Sequence, residues 1–494
     1  MWSSATGTDS EYFSRRDLLR RSGYGVGGFA LAQLMGVGQI AADNPHTAPE
    51  AKRPHDLIPR PPDFRPRAKS IILLMQNGAP SQVDLFDPKP ELTRRSGQVH
   101  VEKVETFQKG SEENRLLGTP YHFYKHGACG MDFSEALPHM ASLADEWCMV
   151  RSMHTDHNNH TEALVIFTTG KFLPGRPTIG AWIGYGLGTE NQNLPSYVVL
   201  RDPDGYSTNG TELWQNGWLP AIYRGTEFNS KGAPVLNLQP GVELPEGARR
   251  DNLELLAKLN RRHLARHPGE SELESRIFNY ELAARMQLSA SDVLDVSKES
   301  AATRKLYGLD SEHTTNYGRR CLMARRLIEA GVRFVQILPP AKSTQPWDSH
   351  SDTKKQISAI APQIDLPSAA LIRDLKSRGL LDETIVLWAG EFGRLPVSQH
   401  SKGRDHNRNA FTLLVAGGGF KSGFTYGATD ELGYRSVEKR VSVADLHATL
   451  LHQVGLNHRQ LGYPHLGREE TLTDRAVTKA RVVGDLLNHA PQVT

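Results

Sequence analysis

The run KSIILLMQ, residues 69–76, breaks off into NGAP, residues 77–80, and its reading decides the fold. A short, unbroken apolar run stopped by turn residues is the pattern of a strand buried on both faces; a half-exposed strand would alternate. Three later runs share this character: RFVQIL (333–338), ETIVLWA (383–389) and FTLLVA (411–416). Shorter strand signals fall at 147–151 and 196–200. Helical spacing occupies the intervals, at 136–145, at 159–169 before Gly170, at 351–378 and at 442–454. Strands and helices in alternation predict an α/β fold, with a mostly parallel central sheet flanked by helices on both faces. From 249 to about 330 the pattern is helical and charged with no strand signal, so an inserted helical subdomain is expected within a domain spanning 69–494.

Composition narrows the function. The chain has 494 residues, 38% of them hydrophobic, which is ample for a large core. Fifty-eight Lys and Arg against 55 Asp and Glu leave a net charge of +3, too little for a nucleic-acid binder. The densest basic run, Arg249-Arg250 and Arg261-Arg262-His263, lies in a helical pattern and reads as a solvated face. The three cysteines, Cys129, Cys148 and Cys321, match neither a zinc cluster nor a disulfide framework.

The N-terminal stretch SRRDLLR, residues 14–20, fits the twin-arginine pattern, and a weakly apolar, glycine-rich stretch follows from Gly23 to about Ala42. Residues 1–42 are therefore expected to be a signal read by the twin-arginine (Tat) translocase, which exports folded proteins. A Pro-rich linker at 43–68 leads into the domain. Export would place the protein in the periplasm or outside the cell, and an uncleaved signal would anchor it to the membrane.

In open parallel sheets, ligands gather beyond the carboxyl ends of the strands. What stands there is polar: Gln76-Asn77-Gly78 after the first run, WDSHSD (347–352) after the second and GEFGR (390–394) after the third. GRDH (403–406) precedes the fourth, and His154 with HNNHTE (157–162) follows the strand near Val150. Five such segments meeting at one rim predict a divalent-metal site. Carboxylates and imidazoles without thiolates suit zinc, manganese, iron or calcium. Thr161, at a predicted helix start, is placed either as a nucleophile facing an anion or as a helix cap.

The stretches NGAPSQVDLFDPKP (77–90), WDSH (347–350), GLLDETIVLWAGEFGR (379–394), the run from Gly403 to Gly433 and VADLHATLLHQVG (443–455) resemble a family of bacterial exported proteins. That family is called domain of unknown function 1501, and it looks like a branch of the alkaline phosphatase and sulfatase superfamily. The resemblance implies an alkaline-phosphatase-like fold and a metal-dependent hydrolase of phosphate or sulfate esters. Its substrate would be an anionic ester, carried for example on exported polysaccharide or lipid, and the cation zinc, manganese or calcium. Counting back from Thr169-Gly170 places the superfamily's nucleophile at Thr161, with His157 and His160 beside it to ligate the cation or carry a proton. Sulfatases of the superfamily carry Cys or Ser there, so Thr161 speaks for phosphate chemistry. The implied metal ligands are Asp348, His350, Glu391 and His406, with Asn77 or Asp405 nearby; Asp352 is an alternative partner for Asp348. Arg394 or Arg404 would hold the anionic group. Glu391-Phe392-Gly393 stands where the superfamily has Asp-His-Gly, so one imidazole is missing. That loss favours the competing reading, a non-catalytic protein keeping the fold to bind a glycan or a partner.

Overall fold

The computed structural model describes residues 56–231, 247–267, 270–340 and 343–492. The expected signal at 1–42 and the first part of the linker lie outside the described residues. No helix among the described residues is long and apolar enough to cross a membrane.

The strands that build the main sheet are β1 (Ser70–Met75), β2 (Trp147–His154), β3 (Tyr197–Leu200), β4 (Thr226–Glu227), β5 (Phe334–Ile337), β6 (Thr384–Ala389), β7 (Phe411–Ala416), β8 (Phe424–Tyr426) and β9 (Val441–Ser442). They lie in the order β8-β2-β7-β6-β1-β5-β3-β4, and β9 also pairs with β2. β1 is central: Ile72 stands opposite Val335 on one side and Val386 on the other, both in parallel register. Every residue of β1, β3, β5, β6 and β7 is buried, so both faces are covered and the continuous apolar runs are accounted for. β7 alone runs the other way, antiparallel to both β2 and β6.

Seven helices matter here: α1 (His160–Thr169), α2 (Ile179–Leu187), α3 (Ala248–Leu264), α4 (Ser271–Leu294), α5 (Thr315–Glu329), α6 (Thr353–Ser377) and α7 (Val443–Gln453). α6 supplies the crossover between β5 and β6, as a parallel sheet requires. Asp352, the alternative partner for Asp348, caps α6 by accepting from Lys355 N at 2.9 Å. The helical pattern expected at 136–145 shrinks to one turn, Pro138–Ala141, and a 3₁₀ turn at Ala144–Glu146. All three cysteines are unpaired: Cys129 is exposed, Cys148 and Cys321 are buried, and burial pushes the Cys148 thiol up to about 12.

Candidate metal centre

The carboxyl ends of β1, β2, β5 and β6 share one rim because these strands are parallel. They deliver Asn77, the loop to His160, the segment with Asp348 and His350, and Glu391. His406 arrives differently. It precedes a strand, and a segment before a parallel strand would lie at the far end of the sheet. Because β7 is reversed, its start faces the rim. A two-stranded ribbon then pairs His406 with Arg394 and fixes both. At Gly78 the chain turns with φ +103°, and a Cβ there would sit 2.6 Å from Trp347 N and 2.7 Å from Asp348 N. Only glycine lets the β1 turn lie under the Asp348 loop.

One ligand atom each from His160, Asp348, His350 and His406 lie within 4.8 Å of one another. Asp348 Oδ1 is the hub, 3.0 Å from His350 Nε2, 3.4 Å from His160 Nε2 and 3.5 Å from His406 Nε2. Each imidazole is tied at its other nitrogen to an acceptor. His160 Nδ1 donates to Glu391 Oε1 at 2.6 Å, and His406 Nδ1 to the main-chain oxygen of Asn158 at 2.6 Å. His350 Nδ1 donates to Gln399 Oε1. These partners assign the proton of each neutral ring to Nδ1 and leave three Nε2 lone pairs facing inward. His350 Nε2 and His406 Nε2 then face each other across 3.0 Å with no proton between them. His160 Nε2 is buried and makes no hydrogen bond among the described residues. Converging lone pairs beside a carboxylate, each ring oriented from behind, make a donor set that fits a divalent cation.

The electrostatics push the rings in different directions: His160 toward its protonated form when no cation is bound, His406 toward the neutral one. Burial opposes the charge of Asp348, but the Arg394 guanidinium beside it holds its carboxyl far below the usual range. Burial also opposes a charge on His160, yet Asp348 and Glu391 outweigh it and raise its pKa. For His406 burial wins over the pull of Asp348, and the ring drops to about 3, neutral and ready to ligate. Phe392 covers the cluster, its ring 4.8 Å from that of His160 and 4.7 Å from that of His406.

The other residues singled out from the sequence take different places. Glu391 was expected as a ligand; Oε1 instead accepts from His160 and from Gly78 N at 2.9 Å, one step behind the cluster. Asp405 receives Phe107 N at 2.6 Å, Gln108 N at 2.8 Å and His406 N at 2.8 Å, so it fastens backbone. Asn77 is buried with both side-chain polar atoms unpartnered among the described residues. Thr161 is exposed in the first turn of α1, and its neighbour Asn159 is the N-cap, so Thr161 is not the cap. His157 is also partly exposed, its Nδ1 accepting from Asn159 N at 3.1 Å and lying outside the cluster.

The expectation that Arg394 and Arg404 hold an anionic substrate is corrected by their burial. Arg394 is fully buried and donates to Asp348 (2.7 Å), to Ala79 O (3.0 Å) and to the carbonyls of Gly78 and Arg404. Arg404 is equally buried, clamped on Asp84 at 2.7 and 3.1 Å and on three carbonyls. Their donors are spent inside the protein. Asp84→Ala would strand the Arg404 charge, and a loss of about 3–5 kcal/mol in denaturant unfolding is expected. A loss under about 1 kcal/mol would show that water reaches the pair. Gln399, Phe107 and the Asn158 carbonyl were not found from the sequence, because nothing in the pattern marks a lone glutamine or a main-chain oxygen as support for a histidine.

Fold and site together define an α/β protein with a His-and-Asp cluster at the strand ends of a mostly parallel sheet. The chain belongs to the family described as Protein of unknown function (DUF1501), whose model matches residues 68–487. No curated protein matches it. Solved structures similar to it include the phosphonate monoester hydrolase of Silicibacter pomeroyi, at 14% identity over 72% of each chain and a TM-score of 0.33. A protein in the alkaline phosphatase superfamily from Vibrio parahaemolyticus is 11% identical over 87% of this chain and 74% of that one, with a TM-score of 0.32. The zinc complex of the C-terminal periplasmic domain of EcEptC from Escherichia coli is 9% identical, covering 85% of this chain and 92% of that one, with a TM-score of 0.36. Likenesses this distant carry no argument about activity, which rests on the site.

Proposed function

We propose that this chain is an exported, divalent-metal-dependent hydrolase of anionic esters with an alkaline-phosphatase-like fold, phosphate esters first among its substrates. The observation that carries the reading is the convergence of three inward-facing imidazole lone pairs on Asp348. Three nitrogen donors and one carboxylate suit zinc or manganese and argue against calcium, which takes oxygen ligands. When bound, the cation supplies positive charge to an ester oxygen and lowers the pKa of a hydroxyl beside it. Asp348 and His350 are partly exposed, so an ester reaches the cluster from their side. Asn159 caps α1 without a side-chain hydrogen bond, which leaves the first-turn amides for the anionic group that Arg394 and Arg404 do not meet. Thr161 presents its hydroxyl on that same turn, and His157 stands by to carry a proton. A panel of aryl phosphate monoesters, diesters and sulfates, assayed with zinc and manganese, tests the reading. No turnover on any of them would favour the non-catalytic alternative.

Export is tested separately. With Arg15 and Arg16 both replaced by lysine, precursor is expected to remain in the cytoplasm, as fractionation and blotting would report. Normal export of that double variant would remove the twin-arginine reading.

A further inference from the structure

We propose that Gln399 is a positioning residue that couples the metal centre to the strap formed by residues 104–110. This rests on the metal-site reading above and deepens it. Gln399 is 1% exposed, and its amide works at both ends. The oxygen accepts from His350 Nδ1, and the nitrogen donates to Lys109 O at 2.8 Å. Its backbone is fixed as well, since Gln399 N donates to Gly403 O at 2.7 Å and Gly403 N to Gln399 O at 2.8 Å. The turn between them holds His400 and Ser401 at φ +48° and +72°. Two successive non-glycine residues in that region cost energy, and such strain persists only where surroundings over-determine the loop.

The strap meets the centre at three points. Phe107 lies parallel over the His406 ring, with centroids 4.9 Å apart and planes 16° apart. Phe107 N and Gln108 N bond to Asp405, which also holds His406 N. Lys109 O is the third point, through Gln399. Of these, only Gln399 joins the strap to a side-chain nitrogen of a proposed ligand by a hydrogen bond; Asp405 Oδ1 stands 4.0 Å from the same His350 Nδ1. Orienting His350 toward a cation therefore also holds the strap, and a bound cation makes the strap harder to lift.

Replacing Gln399 by glutamate separates its two bonds. A glutamate oxygen still accepts from His350 Nδ1, but a carboxylate cannot donate to Lys109 O. Leucine removes both. The full chain, stripped of metal, is titrated with zinc against a chelating indicator, and trypsin cleavage after the exposed Lys109 is followed with and without zinc. In the wild type, zinc is expected to slow cleavage. Gln399→Leu is expected to bind zinc ~10- to 100-fold more weakly, the usual effect of losing a partner behind a ligand, and to be cut rapidly either way. Gln399→Glu is expected to keep wild-type zinc affinity while being cut as fast as the leucine variant. Wild-type affinity in Gln399→Leu, or equal weakness in both variants, overturns the coupling and leaves the metal site standing. A wild-type chain that binds no zinc overturns the metal site itself, and the coupling with it.

Discussion

Asp348→Ala combined with His406→Ala is expected to reduce metal content from near one ion per chain to background. Asp348 Oδ1 is the atom on which all three imidazoles converge, and His406 is the most deeply buried of them, so their loss leaves two nitrogens and no carboxylate in the cluster. The fold should survive. Its stability without metal should fall, because buried Arg394 loses its carboxylate partner as Arg404 would lose Asp84. Arg394 nevertheless keeps its bonds to the carbonyls of Gly78, Ala79 and Arg404, and no core strand contributes a side chain to the change. Thermal melting gives the second readout. At zinc a hundredfold above its dissociation constant, binding to the native state alone contributes about 2.7 kcal/mol, and this zinc-dependent increment should vanish in the double variant. Circular dichroism without metal should match the wild type. Undiminished metal in a folded double variant would place the ligands elsewhere.

The fold is legible in the strands whose burial is complete. SIILLM, FVQI, TIVLWA and FTLLVA lie on both-face-covered strands, so their apolar continuity is direct evidence of position. Gly170, with φ +83°, closes α1 where the pattern puts its end, and Asn159, where the pattern begins, is the N-cap. α2 was not seen, and the reason is physical. Glycine is a poor helix former, and α2 carries Gly180, Gly184 and Gly186. At Gly180 a Cβ would stand 2.6 Å from the Tyr197 ring, so packing of the helix on β3 selects the residue that local propensity disfavours.

At the site, the sequence named the segments but not the layers. His406 belongs to the rim although it precedes a strand, a placement that depends on the reversed direction of β7, which no local pattern encodes. Glu391 and His160 both stand at strand or helix ends, and only the three-dimensional contact shows that one orients the other. Charge alone points Arg394 and Arg404 toward an anion, whereas their work is set by burial against carbonyls and carboxylates that come from 9 to 320 residues away.

Thr161→Ala is expected to lower the hydrolysis rate by ~10²-fold or more while leaving fold and metal content unchanged, the scale at which a group acting in the transition state is usually revealed. An ester hydrolase of this design needs a hydroxyl able to attack beside the cation, and Thr161 follows a proposed ligand, His160, in the same helical turn. Its own amide and those of its neighbours form the amino end of a ten-residue helix, where developing negative charge is favoured. Thr161→Ser keeps a hydroxyl and should retain part of the rate. The structure makes this test cleaner than the sequence allowed. Had Thr161 capped the helix, alanine would cost about 1 kcal/mol and confuse loss of fold with loss of chemistry. Because Asn159 holds the cap position, alanine at an exposed helical site should change stability by no more than a few tenths of a kcal/mol, and in the favourable direction. A rate unchanged in a stable, metal-loaded Thr161→Ala variant would therefore exclude Thr161 as the nucleophile, and the attack would have to come from solvent.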